Sequence, residues 1–457
     1  MKKFTVKPKT FLTREVIVGL QDEKSYPDKI LIGKLAEAGG IVSVFHEVTS
    51  EHVLAIFGKR GSGKSYTLGD MVEGFCTKNR ENPISTISKK KAVLLFDTLG
   101  IYQWMGVPLR ESSNSEAIKS QISLQKKWNL EYEPLDILIF EPKQTQASTF
   151  LTKRSEFTIN IPDLSSSDWG YLLGFDIYTD RMGQLLNDIY IKVTQEGWSD
   201  GKRHFQAITE YSLDHMINCI KNDTEVLQIY HSETRRSLLQ QLLTFNRNPL
   251  FQKEGTKLED LLKPGYLSLL LMHKIPDDLR LIIVSSLIKK IIENRIKASE
   301  IEKHKLITSN SKPLGNYSSI ERFIPPCWIV IDEAQNILPS ERRNPASELL
   351  VKLVREGRNF GISFMFTTQQ PSAIDQRILA QVDTMVIHRL TVQHDIEYVK
   401  RNLKSALPDG IRYSGKNLSF DECLRLLDVG QVLVSNTELD RAFLMEVRPR
   451  VSIHGGF

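Results

Sequence analysis

Two short stretches of the chain carry residue types that could do chemistry together. The first is Val53–Ser65, VLAIFGKRGSGKS. Five apolar residues form a short buried strand, Gly58 opens a tight turn, and from Gly58 to Ser65 the spacing is G-x-x-x-x-G-K-S, the P-loop pattern. Gly58, Gly61 and Gly63 let the backbone curl so that successive N–H groups aim at one anion without Cβ interference. A helix beginning near Gly63 adds the positive end of its dipole. Lys64 is expected to reach the β- and γ-phosphates and the Ser65 hydroxyl to ligate Mg2+. Lys59, Arg60, Ser62 and Tyr66 lie within or beside the same loop and complete the expected binding surface for ATP. The second stretch is Trp328–Glu333, WIVIDE, a buried strand ending in two acids. Asp332 is suited to hold the Mg2+ shell and Glu333 to polarise an attacking water. An apolar strand followed by Asp-Glu is common by chance; downstream of a P-loop it is the expected second half of a P-loop ATPase site.

Two more polar residues sit where such a site would need them. Asp97 ends the apolar run Ala92–Asp97 (AVLLFD), at the strand edge where open α/β sheets bind ligands. Gln369 follows the strand Ile362–Thr367, which should neighbour the Asp332 strand, and so comes within reach of a γ-phosphate as a sensor.

The surrounding chain must supply the sheet that brings these residues together. At 457 residues it is long enough for two to four domains and a large core. Sixty basic against 55 acidic residues give a net charge of +5, which permits a nucleic-acid partner without demanding one. The four cysteines, Cys76, Cys219, Cys327 and Cys423, lie far apart with no C-x-x-C spacing, so they read as reduced thiols and neither zinc ligands nor a disulfide framework. The N-terminus lacks an apolar signal region and no apolar run reaches membrane-spanning length, so the chain reads as cytoplasmic, with no membrane partner.

Residues 1–50 hold short β-like runs and suit a small, barrel-like module that packs on a neighbour. Residues 51–104 form the first part of the core. Residues 105–251 read as a mostly helical insertion, with helical periodicity clearest over Ser165–Phe251 and a structural rather than chemical role. Residues 252–405 return to strands and helices, including the long amphipathic helix Asp277–Lys303 with a basic outer face. Thr308–Phe323 is rich in Ser, Asn, Pro and Gly and reads as a mobile surface loop. Residues 406–457 form a C-terminal extension in which Gly430–Ser435 and Ala442–Val447 pair as a closing hairpin.

Taken in order, GKRGSGKS, VIDEAQ, REGRNFGISFMFTTQQPS and VDTMVIHRL resemble the HerA/FtsK superfamily of ring ATPases, with HerA-like proteins the closer match. The resemblance covers about Ile32–Trp104 and Tyr266–Val451. It implies an α/β chain with a RecA-like P-loop NTPase core, a helical insertion, a small N-terminal β-module and a homo-hexameric ring. Members of the family hydrolyse ATP to translocate double-stranded DNA through the pore, usually beside a nuclease or other effector, which suggests DNA repair or antiviral defence. Matched by position, Lys64 and Ser65 serve phosphate and Mg2+, and Asp332 and Glu333 serve metal and water. Asp97 matches the acid after the second strand, Gln369 the sensor, and Arg358 an arginine that contacts the nucleotide, placed near the phosphate edge of the sheet, in its own subunit or its neighbour's. Three departures stand out: the N-terminal segment is short, Gln370 stands where many relatives carry arginine, and Glu51 and His52 precede the P-loop strand where many also carry arginine. Arg355 is either a second functional arginine or a helix-end cation; Arg342, Arg343 and Lys89–Lys91 either line a DNA pore or form solvated surface. A regulatory ATPase that switches an effector without processive translocation fits the same motifs, and a conjugation- or secretion-type ATPase fits less well.

Overall fold

A computed structural model describes residues 15–456 apart from 21–26, 37–40, 80–81, 109–114, 144–153, 309–322, 341–343, 408–410, 414–415 and 440–441. Arg342 and Arg343, and nearly all of the expected 308–323 loop, lie outside the described residues.

Runs such as VLAIF, AVLLFD and CWIVI have no polar face, so each strand must be covered on both sides. Alternation sorts their side chains. Val53, Ala55 and Phe57 join the core beneath the helical insertion and the long helix, while Leu54 and Ile56 join the core of the P-loop helix and N-terminal strands. Ala92–Phe96 and Cys327–Ile331 divide in the same way. On the second face, Phe75 of the P-loop helix stacks on Trp328, ring centroids 4.4 Å apart.

The main sheet has thirteen strands. In chain order they are β1 (Glu15–Val18), β2 (Lys29–Leu35), β3 (Ser43–Glu47), β4 (Val53–Phe57), β5 (Ala92–Asp97), β6 (Ile137–Pro142), β7 (Ser155–Phe157), β8 (Leu267–Leu271), β9 (Cys327–Ile331), β10 (Ile362–Thr368), β11 (Thr384–Ile387), β12 (Gln431–Asn436) and β13 (Phe443–Val447). Across the sheet the order is β1-β3-β2-β13-β12-β11-β4-β10-β9-β5-β8-β6-β7. From β11 to β7 every neighbouring pair is parallel. The carboxyl ends of β4, β10, β9 and β5 therefore stand side by side, and the P-loop, Gln369, Asp332-Glu333 and Asp97 emerge in one row.

The hairpin β12–β13 forms as its sequence suggests, antiparallel, and its placement changes the N-terminal module. β12 pairs with β11 on one side and β13 with β2 on the other, so β1–β3 extend the main sheet instead of closing on themselves. The expected 105–251 insertion divides similarly. β6 and β7 belong to the main sheet, and the α-helices between β7 and β8 run Ser166–Leu173, Arg181–Ile191, Leu213–Asn222, Thr224–Ile229, Ser232–Asn246 and Leu258–Leu261. A capping box at Ser165 and Asp168 starts the first of them and Gly174, in the left-handed conformation, ends it. Trp169, fully buried, donates from Nε1 to the Tyr211 hydroxyl at 2.8 Å and anchors the layer.

The helix Asp277–Thr308 follows β8 at the carboxyl edge and spans the sheet to its amino edge, a length of about 48 Å for 32 residues. Among the described residues no helix is long and apolar enough to cross a membrane.

Candidate active site

The P-loop closes around its own backbone. Gly61 (φ 74°) and Gly63 (φ 107°) occupy left-handed backbone that side chains resist, and Gly63 caps the helix Lys64–Cys76. At Gly58 a Cβ would lie 2.5 Å from Ser62 Oγ and 2.6 Å from His388 Cβ, so only glycine fits. Lys64 is buried, and its Nζ donates to the Lys59 carbonyl at 3.2 Å across the mouth of the loop. Burial pulls the Lys64 pKa down, and the charges of Glu333 and Asp332 partly restore it. A phosphate entering the loop would take over that cation.

Asp332 is fully buried at the end of β9 and every donor around it points inward. It accepts from Ser65 Oγ at 3.3 Å, from the Tyr102 hydroxyl at 3.0 Å, from the Glu333 N–H at 3.1 Å and from the Thr367 hydroxyl. Burial raises its pKa, and the Thr367 hydrogen bond works against that rise. The Ser65 hydroxyl and the Asp332 carboxylate are neighbouring hard oxygen donors. No cluster of three or more His, Cys, Asp or Glu side chains suited to a metal ion occurs among the described residues. A cation here would need phosphate oxygens and water as well, which is the habit of nucleotide-bound Mg2+; the donor set fits it.

Glu333 takes a left-handed backbone (φ 54°), unusual for a residue with a side chain. The turn aims its carboxylate along the sheet edge. Gln369 Nε2 donates to Oε1 at 2.6 Å, and Gln335 Nε2 donates to Oε2 at 2.8 Å. Thr368 Oγ1 in turn donates to Gln335 Oε1 at 2.8 Å. The carboxylate expected to activate water is thus held by two amides, one of them the expected sensor.

These groups open onto a cavity of about 1040 Å³ lined by Arg60, Lys64, Ser65, Tyr66, Glu333 and Gln369 among others. Val429, Pro449 and His454 of the C-terminal segment also line it. That segment is strapped to the P-loop helix by a buried charge cluster. Glu73 accepts from Arg448 Nη1 at 2.9 Å, Arg450 Nε at 3.1 Å, Ser452 Oγ at 2.6 Å and the N–H groups of Val451 and Ser452, both at 2.9 Å. Asp70 Oδ1 lies 2.8 Å from Arg448 Nη1, and all four charged side chains are fully buried. The Arg450 N–H donates to the Tyr66 hydroxyl at 2.7 Å, so Tyr66 connects strap and loop.

Asp97 and Arg358 are placed differently from the other expected site residues. The Asp97 carboxylate faces the backbone and accepts from the N–H groups of Leu99, Gly100 and Tyr102 at 3.1, 2.7 and 3.1 Å. Its geometry shapes the turn that delivers Tyr102 to Asp332; burial lifts its pKa to about 6. Arg358 does not lie near the phosphate edge. The helix Pro345–Glu356 runs back across the sheet, so Arg358 precedes β10 at the amino edge. There it pairs with Asp383, whose Oδ2 also accepts from the Val53 N–H at 2.8 Å. The length of β4, about 17 Å for five residues, separates it from its own P-loop. Arg355 is exposed on the same helix. Of the three lysines, Lys89 is exposed, whereas Lys90 donates to the carbonyls of Cys76 and Thr77, and Lys91 to the Ser50 carbonyl and the Glu51 carboxylate. Those two are end-caps and tethers, unavailable to line a pore.

Sequence reasoning passed over Tyr102, Thr367, Gln335 and His388. Thr367 and Gln335 adjoin residues already singled out, and strand alternation could have turned Thr367 towards β9. His388 fills the space beneath Gly58 and Gly63 and sits 3.0 Å from Thr67 Oγ1. Burial, reinforced by the Lys64 charge, lowers its pKa to about 3, so it is a neutral support for the loop.

The family described as Helicase HerA, central domain, matches residues 30–291, and that described as Zonular occludens toxin (Zot) matches residues 283–406. The DNA double-strand break repair helicase HerA of Pyrococcus furiosus is 22% identical over 382 residues, covering 81% of this chain and 62% of its own. A probable helicase of Methanocaldococcus jannaschii is 22% identical over 342 residues, 70% of this chain and 57% of its own. The chain therefore spans less than two thirds of the length of these relatives. Among solved structures, VirB4 of Thermoanaerobacter pseudethanolicus aligns with a TM-score of 0.48 at 12% identity, covering 93% of this chain and 97% of that one.

Proposed function

Because the chain belongs to the family of the HerA helicase central domain, we propose that it hydrolyses ATP and uses the turnover to move or remodel double-stranded DNA. The observation that carries this reading is the meeting of Lys64, Ser65, Asp332, Glu333 and Gln369 around one cavity. The name of the Pyrococcus furiosus relative, a DNA double-strand break repair helicase, supports DNA as the track. Bound Mg2+ supplies charge neutralisation on the transferring phosphoryl group. Lys64 holds the phosphates, Ser65 and Asp332 hold the metal and its water shell, and Tyr102 and Thr367 hold Asp332. Glu333 accepts a proton from the attacking water once its carboxylate is released by Gln369, which turns to the γ-phosphate.

The working form is a closed ring of six copies, with a nuclease or similar effector acting beside it in the cell. Arg358 acts in trans: an exposed, permanently charged side chain at the amino edge is out of reach of its own P-loop and available to a neighbour's. It exchanges Asp383 for the neighbouring γ-phosphate as the border closes.

Phosphate release measured with and without duplex DNA tests the reading, together with two variants. Lys64→Ala should lose nucleotide affinity; Glu333→Gln should bind ATP and leave it intact. Wild-type turnover by Glu333→Gln would remove the base assignment. Turnover indifferent to duplex DNA at low salt would replace the motor with an effector switch.

A further inference from the structure

Arg295, Ser299 and Lys303 recur every fourth residue along the helix Asp277–Thr308, so they project from one face. All three converge on one turn, Gly357–Phe360, which carries Arg358. Arg295 Nε donates to the Phe360 carbonyl at 2.7 Å. Ser299 Oγ and Lys303 Nζ donate to the Asn359 carbonyl at 3.1 and 3.3 Å. The remaining nitrogens of Arg295 are committed too: both terminal ones to the Glu302 carboxylate at 3.1 Å, and Nη1 also to the Ile324 carbonyl at 2.9 Å. Arg295 is only 1% exposed, and a Cβ at Gly361 would lie 2.9 Å from its guanidinium. The left-handed Gly361 (φ 77°) lets the chain turn at that close approach into β10.

The last carbonyls of a helix lack intrahelical partners, and water can satisfy them where the end is exposed. Asn359 and Arg358 are exposed, so this turn could have been left to solvent. Three donors from one rigid helix face instead fix the peptide units on the C-terminal side of Arg358. An arginine that must meet a phosphate on another subunit gains from such fixing, because a misplacement of about 1 Å can cost on the order of 10²-fold in rate. Arg295 has the larger share, since it binds the turn, the Glu302 carboxylate and the start of the β9 segment at once.

We propose that Arg295, assisted by Ser299 and Lys303, is a positioning residue for Arg358, aiming it at the nucleotide of the neighbouring subunit. This rests on the trans reading of Arg358. Arg295 touches no nucleotide and acts only through the turn, so its loss should lower turnover and leave ATP affinity alone.

The test uses the full chain, with Arg295→Met, the milder pair Ser299→Ala/Lys303→Met, Arg358→Ala and Lys64→Ala. Arg295→Met should lower kcat by about 10- to 100-fold with KM for ATP unchanged, and the milder pair should lower it by a smaller factor. Each is then mixed with Lys64→Ala subunits, exchange being followed by fluorescence transfer between labelled copies. An Arg295→Met subunit keeps a working P-loop, and a Lys64→Ala neighbour can present a well-placed Arg358 to it; activity should reappear as it does for Arg358→Ala. If the Arg358→Ala mixture stays inactive while subunits exchange, the trans reading falls. If that mixture recovers but the Arg295→Met mixture does not, or if Arg295→Met raises KM, the positioning proposal falls and the trans reading stands. Should Arg295→Met fail to fold, the milder pair carries the decision, and wild-type turnover by it overturns the proposal.

Discussion

Replacing Glu73 by Gln changes one atom type at the centre of the strap cluster, and its cost follows from the contacts. Glu73 accepts five hydrogen bonds, two of them from guanidinium groups, with no exposure to water. Burial alone would push its carboxyl up, but Arg448, Arg450 and the hydrogen bonds from Ser452 and Val451 together lower its pKa. Asp70 cannot replace it: it reaches only Arg448, at 2.8 Å, and burial pushes its pKa up against that pairing. A glutamine offers one accepting oxygen and turns an NH2 towards donors on the other side. Removing one member of a buried ion pair costs about 3–5 kcal/mol, because the partner's charge is left without compensation. At about 1–2 °C per kcal/mol for a chain of 457 residues, the melting temperature should fall by about 3–10 °C. The ion pair Lys192–Glu225 provides the control: Glu225 is 61% exposed, and Glu225→Gln should cost no more than about 1 kcal/mol. Thermal melts of both variants decide the matter. Equal melting temperatures for Glu73→Gln and Glu225→Gln would refute the argument that the strap is held by buried charge. ATP affinity should fall with Glu73→Gln, since Pro449 and His454 of the strap line the cavity.

Tyr102→Phe keeps the ring and removes the donor to Asp332. A lost hydrogen bond to a buried carboxylate should cost about 1.5–3 kcal/mol and raise the Mg2+ concentration needed for half-maximal turnover. Unchanged melting and an unchanged Mg2+ titration would make Tyr102 a packing residue only. For DNA, fluorescence anisotropy on two unrelated duplexes should give equal affinities that fall linearly on a log-log plot against salt, as phosphate contacts release counterions; a strong preference for one sequence would contradict a backbone-held track.

The parts of this molecule legible in the sequence are those that local pattern dictates. VLAIF, AVLLFD and WIVI announced buried parallel strands, and the glycine spacing after Phe57 announced the phosphate loop. Gln369 was legible through one step of topology, since its strand had to lie beside β9. Arg358 was misplaced because reading it needed the direction in which a helix returns across the sheet, which motif order does not carry. The strap was invisible for another reason: Arg448 and Glu73 are 375 positions apart, and neither stands in a recognisable pattern. The N-terminal strands looked like a module because their connection to the core runs through β13, the last strand of the sheet in chain order.

Glu333 sets stability against turnover at a single position. Its left-handed backbone costs roughly 1–2 kcal/mol that a glycine would not incur, and its charge lies beside Asp332, whose ionisation it opposes. Removing the side chain would relieve both strains, at the loss of the hydrogen bonds from Gln369 and Gln335 and of the base proposed above. Glu333→Gly should therefore cost less stability than the loss of its two amide hydrogen bonds alone would suggest, which a thermal melt checks. On the proposed reading, the residue at this turn is where the demand of the backbone for glycine and the demand of hydrolysis for a carboxylate oppose each other.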